Sequence, residues 1–339
     1  KLQALFSYKD ISLWEQLEST FYQMTFTPYF PLWMKLIDSL TLIFKKTKPK
    51  AIFLPYETGP LALCFIVAGK KTNVTTIGIQ HGVIADNWKF YSLEPLDVNH
   101  PFGFPLPTKI LLFGDYSKRI LLKNGYPSNK LISFGNPVFF DLLKKEEILQ
   151  NLDIRKKHKI PKEKTIILFT TLSLQKFKSW SKSNHNTEIW TYLLTHYANQ
   201  QNFFLIVKPH PDEDPKIYEK IAEKFNASNI LVTKQSLYEF VYISNVVLSM
   251  FSTTIIDSLC FKKPVIQIEF DDVESPIPFS QLGVTIPTNL DNLSEKIDHV
   301  LSHDYEKQHL LENSTKFIKD LYNIPEHQPD LTLKEIFKN

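Results

Sequence analysis

Ser249-Met250-Phe251-Ser252-Thr253-Thr254-Ile255-Ile256-Asp257 lies between two apolar runs, Asn245 to Leu248 and Pro264 to Ile268. Both runs are short, rich in β-branched residues and bounded by turn or polar residues, so both predict buried parallel strands. The interval holds one tight loop and a short helix over Thr253 to Phe261, which Ser252 or Thr253 would cap. The free N–H groups and positive dipole end of that helix would point out from the carboxyl edge of the sheet. An open α/β sheet receives phosphate at that edge. An ordinary capped helix that binds nothing carries the same pattern.

Upstream, Asn202 to Val207 is another buried-strand run, and it ends in Lys208-Pro209-His210-Pro211. The two prolines stiffen the loop and forbid continuation of helix or strand. They hold a Lys and a His at a strand's carboxyl end. Lys neutralises phosphate as a point charge, and His can donate a hydrogen bond to it. A surface turn with an incidental His is the plain alternative.

Lys208-Pro209-His210-Pro211, Ser252-Thr253-Thr254 and Lys263-Pro264-Val265-Ile266, in that order, resemble the C-terminal half of GT-B-fold transferases that build cell-surface polymers. These include the CDP-glycerol glycerophosphotransferases of teichoic acid synthesis and the capsule-type transferases of Kdo and sialic acid. Gln80-His81-Gly82 and Phe134-Gly135-Asn136-Pro137 resemble the N-terminal half of the same families. The resemblance implies an α/β, GT-B-like fold of two Rossmann-like domains with parallel sheets facing a central cleft. The N-terminal acceptor-side domain would cover 1–145, a linker 146–163, and the C-terminal nucleotide-donor domain 164–339, its last helix crossing back.

The implied activity is glycosyl transfer, inverting, from a nucleotide-activated donor to a hydroxyl of a surface-glycan or lipid-linked acceptor, with cytidine as the favoured base. Polyol-phosphate transfer from a CDP-polyol is the rival chemistry, and a non-catalytic nucleotide-sugar-binding protein the rival outside catalysis. His81 would be the general base or an acceptor-positioning residue. Lys208 and His210 would neutralise the departing phosphate, and Ser252, Thr253 and Thr254 would meet the donor phosphates. Asp257 would orient the site or bind donor hydroxyls. Retaining GT-B enzymes often carry Glu in this region, so the stereochemistry stays open. The scheme needs no metal cofactor, since the helix dipole and Lys take its place.

A chain of 339 residues suffices for two domains with proper cores. Its net charge of +3 does not call for nucleic acid. The two cysteines, Cys64 and Cys260, lie in apolar runs and read as core rather than a bridge, which favours a reducing, cytoplasmic setting. No apolar run of 18 residues predicts a transmembrane helix, and no signal peptide is visible. The chain opens on Lys1, its first Met is Met24, and no good strand precedes Ala51. GT-B N-terminal domains usually open with a strand, so a missing N-terminal portion is expected.

Residues 10 to 48 predict helices, and the second helical stretch, Leu32 to Phe44, is followed by Lys45, Lys46, Lys48 and Lys50. Such an aromatic and lysine-rich stretch suits a helix lying on the inner face of a membrane; a core face followed by solvated charge is the commoner reading. Ala51 to Leu54 and Thr75 to Ile79 predict strands around a helix over Leu61 to Gly69. Glu57 and Gln80-His81-Gly82 then share one rim on the acceptor side, with Gly78 and Gly82 letting a ligand approach the backbone. Residues 84 to 108 hold no clear element, and Asn87 and His100 there would hang over the cleft. Strands at Ile110 to Gly114 and Lys130 to Phe134 complete this half. Lys144 to Lys162, with Arg155-Lys156-Lys157-His158-Lys159, predicts a solvated linker. Lys164 to Phe169 opens the second half, and the hydroxyls of Thr170 and Thr171 at its end can hold a diphosphate or ribose. Asp271-Asp272 predicts a loop, since no third metal ligand accompanies it.

Overall fold

The computed structural model describes residues 6–8, 11–27, 29–86, 91, 104–173, 184–273 and 275–322. The chain opens on a two-residue antiparallel pair, β1 (Ser7–Tyr8) and β2 (Ile11–Ser12), where the sequence predicts no strand. Helices α1 (Trp14–Phe26) and α2 (Tyr29–Thr47) follow. The first parallel sheet then forms from β3 (Ala51–Leu54), α3 (Pro60–Thr72), β4 (Thr75–Ile79), β5 (Lys109–Leu112), α4 (Asp115–Lys123) and β6 (Leu131–Ser133), in the order β3-β4-β5-β6. Pro60 opens α3, where a missing N–H costs nothing, and Asn73 closes it in the left-handed region at φ 57°. One face of α3 packs Cys64 and Ala68 on Leu40 and Phe44 of α2; Ala62 and Ile66 pack on Leu54.

The stretch predicted as a plain linker is structured. Helix α5 (Pro137–Gln150) runs through its start, and a single turn, α6 (Ile154–Lys157), follows. Leu149, Ile154 and Ile160 are buried. Three of the basic residues between them are tied down: Lys157 and His158 bond Glu239 of the second half at 2.8 Å, and Arg155 donates to the nearby carbonyls of Pro161 and Lys164.

The second sheet is built by β7 (Thr165–Thr170), α7 (His185–Tyr197), β8 (Phe203–Lys208), α8 (Lys216–Glu223), β9 (Ile230–Val232), α9 (Leu237–Ile243), β10 (Val246–Ser249), α10 (Thr254–Cys260), β11 (Val265–Ile268) and β12 (Ile286–Thr288). Helices α11 (Leu293–Ser302) and α12 (Asp304–Tyr322) close the described chain. All pairings in this sheet are parallel, in the order β12-β11-β10-β7-β8-β9. Period-two alternation splits its side chains between two cores. Ile166, Leu168, Ile206 and Val247 face one; Ile167, Phe169, Val207 and Leu248 face the other. The first of these cores also takes in Val83, Ala85, Tyr116 and Phe139, so the two halves share one continuous apolar contact.

The order reverses beside β7: β8 and β9 extend to one side, β10 to β12 to the other. That switch falls at the carboxyl ends of β7 and β10, the place where open α/β sheets bind ligands. Helix α12 starts beyond the second sheet and reaches the first. Its Asp320 pairs in a bidentate fork with Arg119 of α4, and Phe317 meets Tyr116 edge-on at 5.5 Å. A Cβ on Gly114 would lie 2.4 Å from the Asp320 carbonyl oxygen, so only glycine admits this helix end. Both cysteines are free thiols. Among the described residues no helix is long and apolar enough to cross a membrane.

Candidate functional site

The switch-point crevice carries the hydroxyls and cations singled out in the sequence. Thr170 ends β7 in register with Lys208 at the end of β8. The Thr170 hydroxyl bonds that of Thr254 at 2.9 Å, which ties the β7 end to the first residue of α10. The Thr254 N–H donates to the Ser252 hydroxyl at 3.3 Å, so Ser252 sets the start of the helix, while exposed Thr253 makes no side-chain cap bond. Burial, helped by nearby Lys234, holds the Lys208 ammonium below its ordinary pKa. An incoming diphosphate would relieve that cost.

The loop after Lys208 is held by a residue that the sequence reading missed. Glu213 accepts from the Thr171 hydroxyl and the His210 N–H on one oxygen, and from the Asn186 amide and the Tyr218 hydroxyl on the other. Asn186 is itself pinned to the Leu172 carbonyl at 2.7 Å. The Asp212 N–H donates to His210 Nδ1 at 3.2 Å, and the Asp212 carboxylate lies 3.5 Å from the same nitrogen, so this edge of the ring is held by Asp212. The sequence signal for Glu213 is faint: an acid two residues beyond the second proline of the motif.

Asp257 takes no part in this network. It is half-buried, within electrostatic reach of Lys145, Tyr238 and Tyr322, and burial pushes its carboxyl up to about 6 against the pull of Lys145. Its place is beside α5 and α12 rather than among the edge hydroxyls. Next to the crevice, a cavity of about 700 Å³ opens over the carboxyl ends of β10, β11 and β12. Met250, Phe251, Glu269, Phe270 and Asn289 line it, and Asp86 reaches it from the first half. Asp272, in the turn beside it, accepts from His185 Nε2 at 2.8 Å, and the His185 ring stacks on Phe270 at 3.7 Å. The acidic pair therefore does more than fill a loop: one member braces the cavity wall.

His81 lies on the first half, just past the carboxyl end of β4. The Gln80 side chain is buried and spends its amide internally, on the Gly82 carbonyl at 2.8 Å, the Ser117 hydroxyl at 3.0 Å and the Phe113 N–H at 2.8 Å. Gln80 is thus a strut, and His81 is left exposed beyond it. The His81 ring packs on that of Tyr56 at 4.3 Å, and burial lowers its pKa below the ordinary histidine value. Glu57 is buried, accepts from the Tyr91 hydroxyl at 3.1 Å, and is pushed up to about 7 by burial. It lies under Gly78, where a Cβ would come 2.8 Å from its own Cβ, so Gly78 makes room for Glu57 rather than for a ligand. Gly82 faces open space, with no protein atom within 4 Å of where a Cβ would stand. Asn87 and His100 lie outside the described residues. Val83 and Ala85, just past His81, pack into the second half's core, so the His81 loop closes onto that half. Among the described residues, no group of three His, Cys, Asp or Glu gathers as a metal site.

The family model described as CDP-Glycerol:Poly(glycerophosphate) glycerophosphotransferase matches residues 114–274. The matched span contains the Lys208 loop and the Ser252 helix start, and leaves His81 outside. UDP-GlcNAc 2-epimerase from Neisseria meningitidis, bound to UDP-GlcNAc, is similar in structure: 16% identity over 91% of this chain and 81% of that one, TM-score 0.62. MnaA of S. aureus with UDP shows 15% identity over 88% and 83%, TM-score 0.56. A variant of the wall teichoic acid polymerase TagF soaked with CDPG shows 15% over 85% and 72%, TM-score 0.52. A comparison with curated proteins found no match. The fold is GT-B-like, and the chain resembles GT-B enzymes of cell-surface polymer synthesis.

Proposed function

We propose that this chain, a nucleotide-activated transferase of the GT-B type, moves a polyol phosphate from a cytidine diphosphate donor to a hydroxyl of a cell-surface polymer or its lipid-linked precursor. One observation carries the reading. The glycerophosphotransferase match spans the two motifs that the fold joins at the switch point, through the Thr170–Thr254 hydrogen bond. Sugar transfer from a cytidine-activated donor comes first on sequence alone; the matched description shifts the balance to polyol phosphate.

In this scheme the nucleotide occupies the cavity over β10 to β12, and its diphosphate lies on the neighbouring edge. Lys208, the His210 Nε2–H and the N–H groups opening α10 meet the phosphate oxygens, with no metal ion assigned a role. His81 takes the proton of the acceptor hydroxyl. The hydroxyl oxygen attacks the distal phosphorus, the bond to the cytidylate oxygen breaks, CMP leaves with the electron pair, and a phosphodiester forms. The two free thiols support a cytoplasmic setting.

Side-by-side titration with CMP, CDP, UMP and UDP tests the donor. Cytosine presents an amino donor where uracil presents a carbonyl, so a site that bonds it leaves unpaired polar groups against uracil. Cytidine nucleotides should bind more tightly. A uridine preference would overturn cytidine but leave transfer standing, and no binding by any of the four would overturn both. Product analysis for a phosphodiester against a glycosidic bond decides the group transferred.

A further inference from the structure

The imidazole of a general base is ordinarily aimed by a hydrogen bond to a third group. His81 is held differently. Its backbone is fixed by the Gln80 strut, whose amide bonds the Gly82 carbonyl, the Ser117 hydroxyl and the Phe113 N–H. Among the described residues burial alone, with no hydrogen bond to the ring, accounts for its lowered pKa. What touches the ring is Tyr56, with centroids 4.3 Å apart and planes tilted by 55°. That separation is at the near limit for paired rings.

The Tyr56 ring is itself set in place. Gly59 lies beneath it, where a Cβ would stand 2.8 Å from a ring carbon, and the Gly59 N–H closes the turn on the Tyr56 carbonyl at 3.2 Å. The next residue, Glu57, is buried and accepts from the Tyr91 hydroxyl at 3.1 Å. Its Cβ fits against Gly78 only because Gly78 has none, and Gly78 pairs with Leu54 across β3 and β4. The loop after β3 is therefore docked on the strand that delivers His81. We propose that Tyr56 is a positioning residue for the transfer: its ring fixes the plane of the His81 imidazole, and Gly59 keeps the ring at that spot. This rests on His81 as the base and adds the group that aims it. An exposed histidine otherwise has both side-chain torsions free, and a base misplaced by about 1 Å can lose about 10²-fold in rate.

The test follows CMP release from CDP-glycerol with a glycerol phosphate primer, using the intact chain. Tyr56→Ala should lower kcat by about 10- to 10²-fold, with primer KM and CDP affinity little changed. Tyr56→Phe keeps the ring and should restore most of the loss. Gly59→Ala displaces the ring and should also lower kcat, yet add little to Tyr56→Ala, because the ring that its methyl would meet is gone. In carbon-13 histidine spectra, the His81 resonances should shift in Tyr56→Ala and its pKa rise toward the ordinary 6.5, while Tyr56→Phe stays near the parent. Unchanged kcat or unmoved His81 resonances in Tyr56→Ala, additive losses in the double variant, or a Phe variant as poor as Ala overturns the proposal. So does a loss confined to primer KM, which makes Tyr56 an acceptor contact. The two readings fail separately. If His81→Gln leaves CMP release intact, the base assignment falls whatever Tyr56 does. If His81→Gln abolishes it and Tyr56→Ala does not lower it, the positioning role alone is removed.

Discussion

His81→Gln should lower turnover by about 10²–10⁴-fold, the range of a lost general base, while CDP affinity stays unchanged. The expectation follows from position and environment. The loop that carries His81 is held by Gln80 and by the burial of Val83 and Ala85, so the substitution leaves its frame standing. The phosphate contacts lie on the other half of the molecule. Burial favours the uncharged imidazole, so the ring at neutral pH is ready to accept a proton. The pH profile has a definite sign. A lowered pKa keeps the base neutral down to below the ordinary histidine value of 6.5, so kcat/KM should hold to slightly acidic pH and fall only beneath it. Turnover of the variant near the parent's would remove His81 from the chemistry. Lost CDP affinity would move it to the donor site, and an acid limb above 6.5 would contradict the neutral-base assignment.

Glu213→Ala should cost about 2–4 kcal/mol of stability and weaken CDP by tenfold or more, because bonds to a charged group are worth about 1.5–3 kcal/mol each and do not simply add. Four donors converge on this carboxylate from β7's end, the His210 backbone, α7 and α8. Without it the loop keeps the bond from the His210 N–H to the Thr171 hydroxyl at 2.8 Å but loses its ties to α7 and α8. The conservative change is the sharper test. Glu213→Gln must turn its NH₂ toward one pair of donors. Turned toward Asn186 it meets an amide fixed by the Leu172 carbonyl. Turned toward Thr171 it meets a hydroxyl that can accept from it, and the His210 N–H keeps its shorter bond to that same hydroxyl, at 2.8 Å. Gln should therefore recover part of the melting temperature and CDP affinity that Ala loses. No recovery at all would show that the charge of the carboxylate, beyond its hydrogen bonds, holds the loop.

The strands of both sheets were legible because buried parallel strands carry unbroken β-branched runs, as in Ile166-Ile167-Leu168 and Val265-Ile266. β12 was not. It is three residues long, lies at the edge, and contains Pro287, which a central strand would not tolerate. The charged stretch around Arg155 hid Leu149, Ile154 and Ile160, whose burial depends on partners far along the chain. In the site, residues on prolines and strand ends could be read from position. Glu213, Asn186 and the His185–Asp272 pair could not, because their meaning lies in hydrogen bonds spanning 14 to 87 residues, or in a convergence on one oxygen. Gly78 shows the limit from the other side. Glycine marks close approach, but not of what: at Gly78 the neighbour is Glu57.

The return of α12 to Gly114 has a consequence for how the molecule is made. Arg119 and its partner Asp320 stand 201 residues apart. At about 5–20 residues per second on the ribosome, roughly 10–40 s pass between the emergence of one and the other. Through that interval the carboxyl edge of the first sheet, with Tyr116 and the Gly114 backbone, waits uncovered. The half of the chain that is synthesised first is thus among the last to be completed, and it is during that wait that a chaperone would have something to hold.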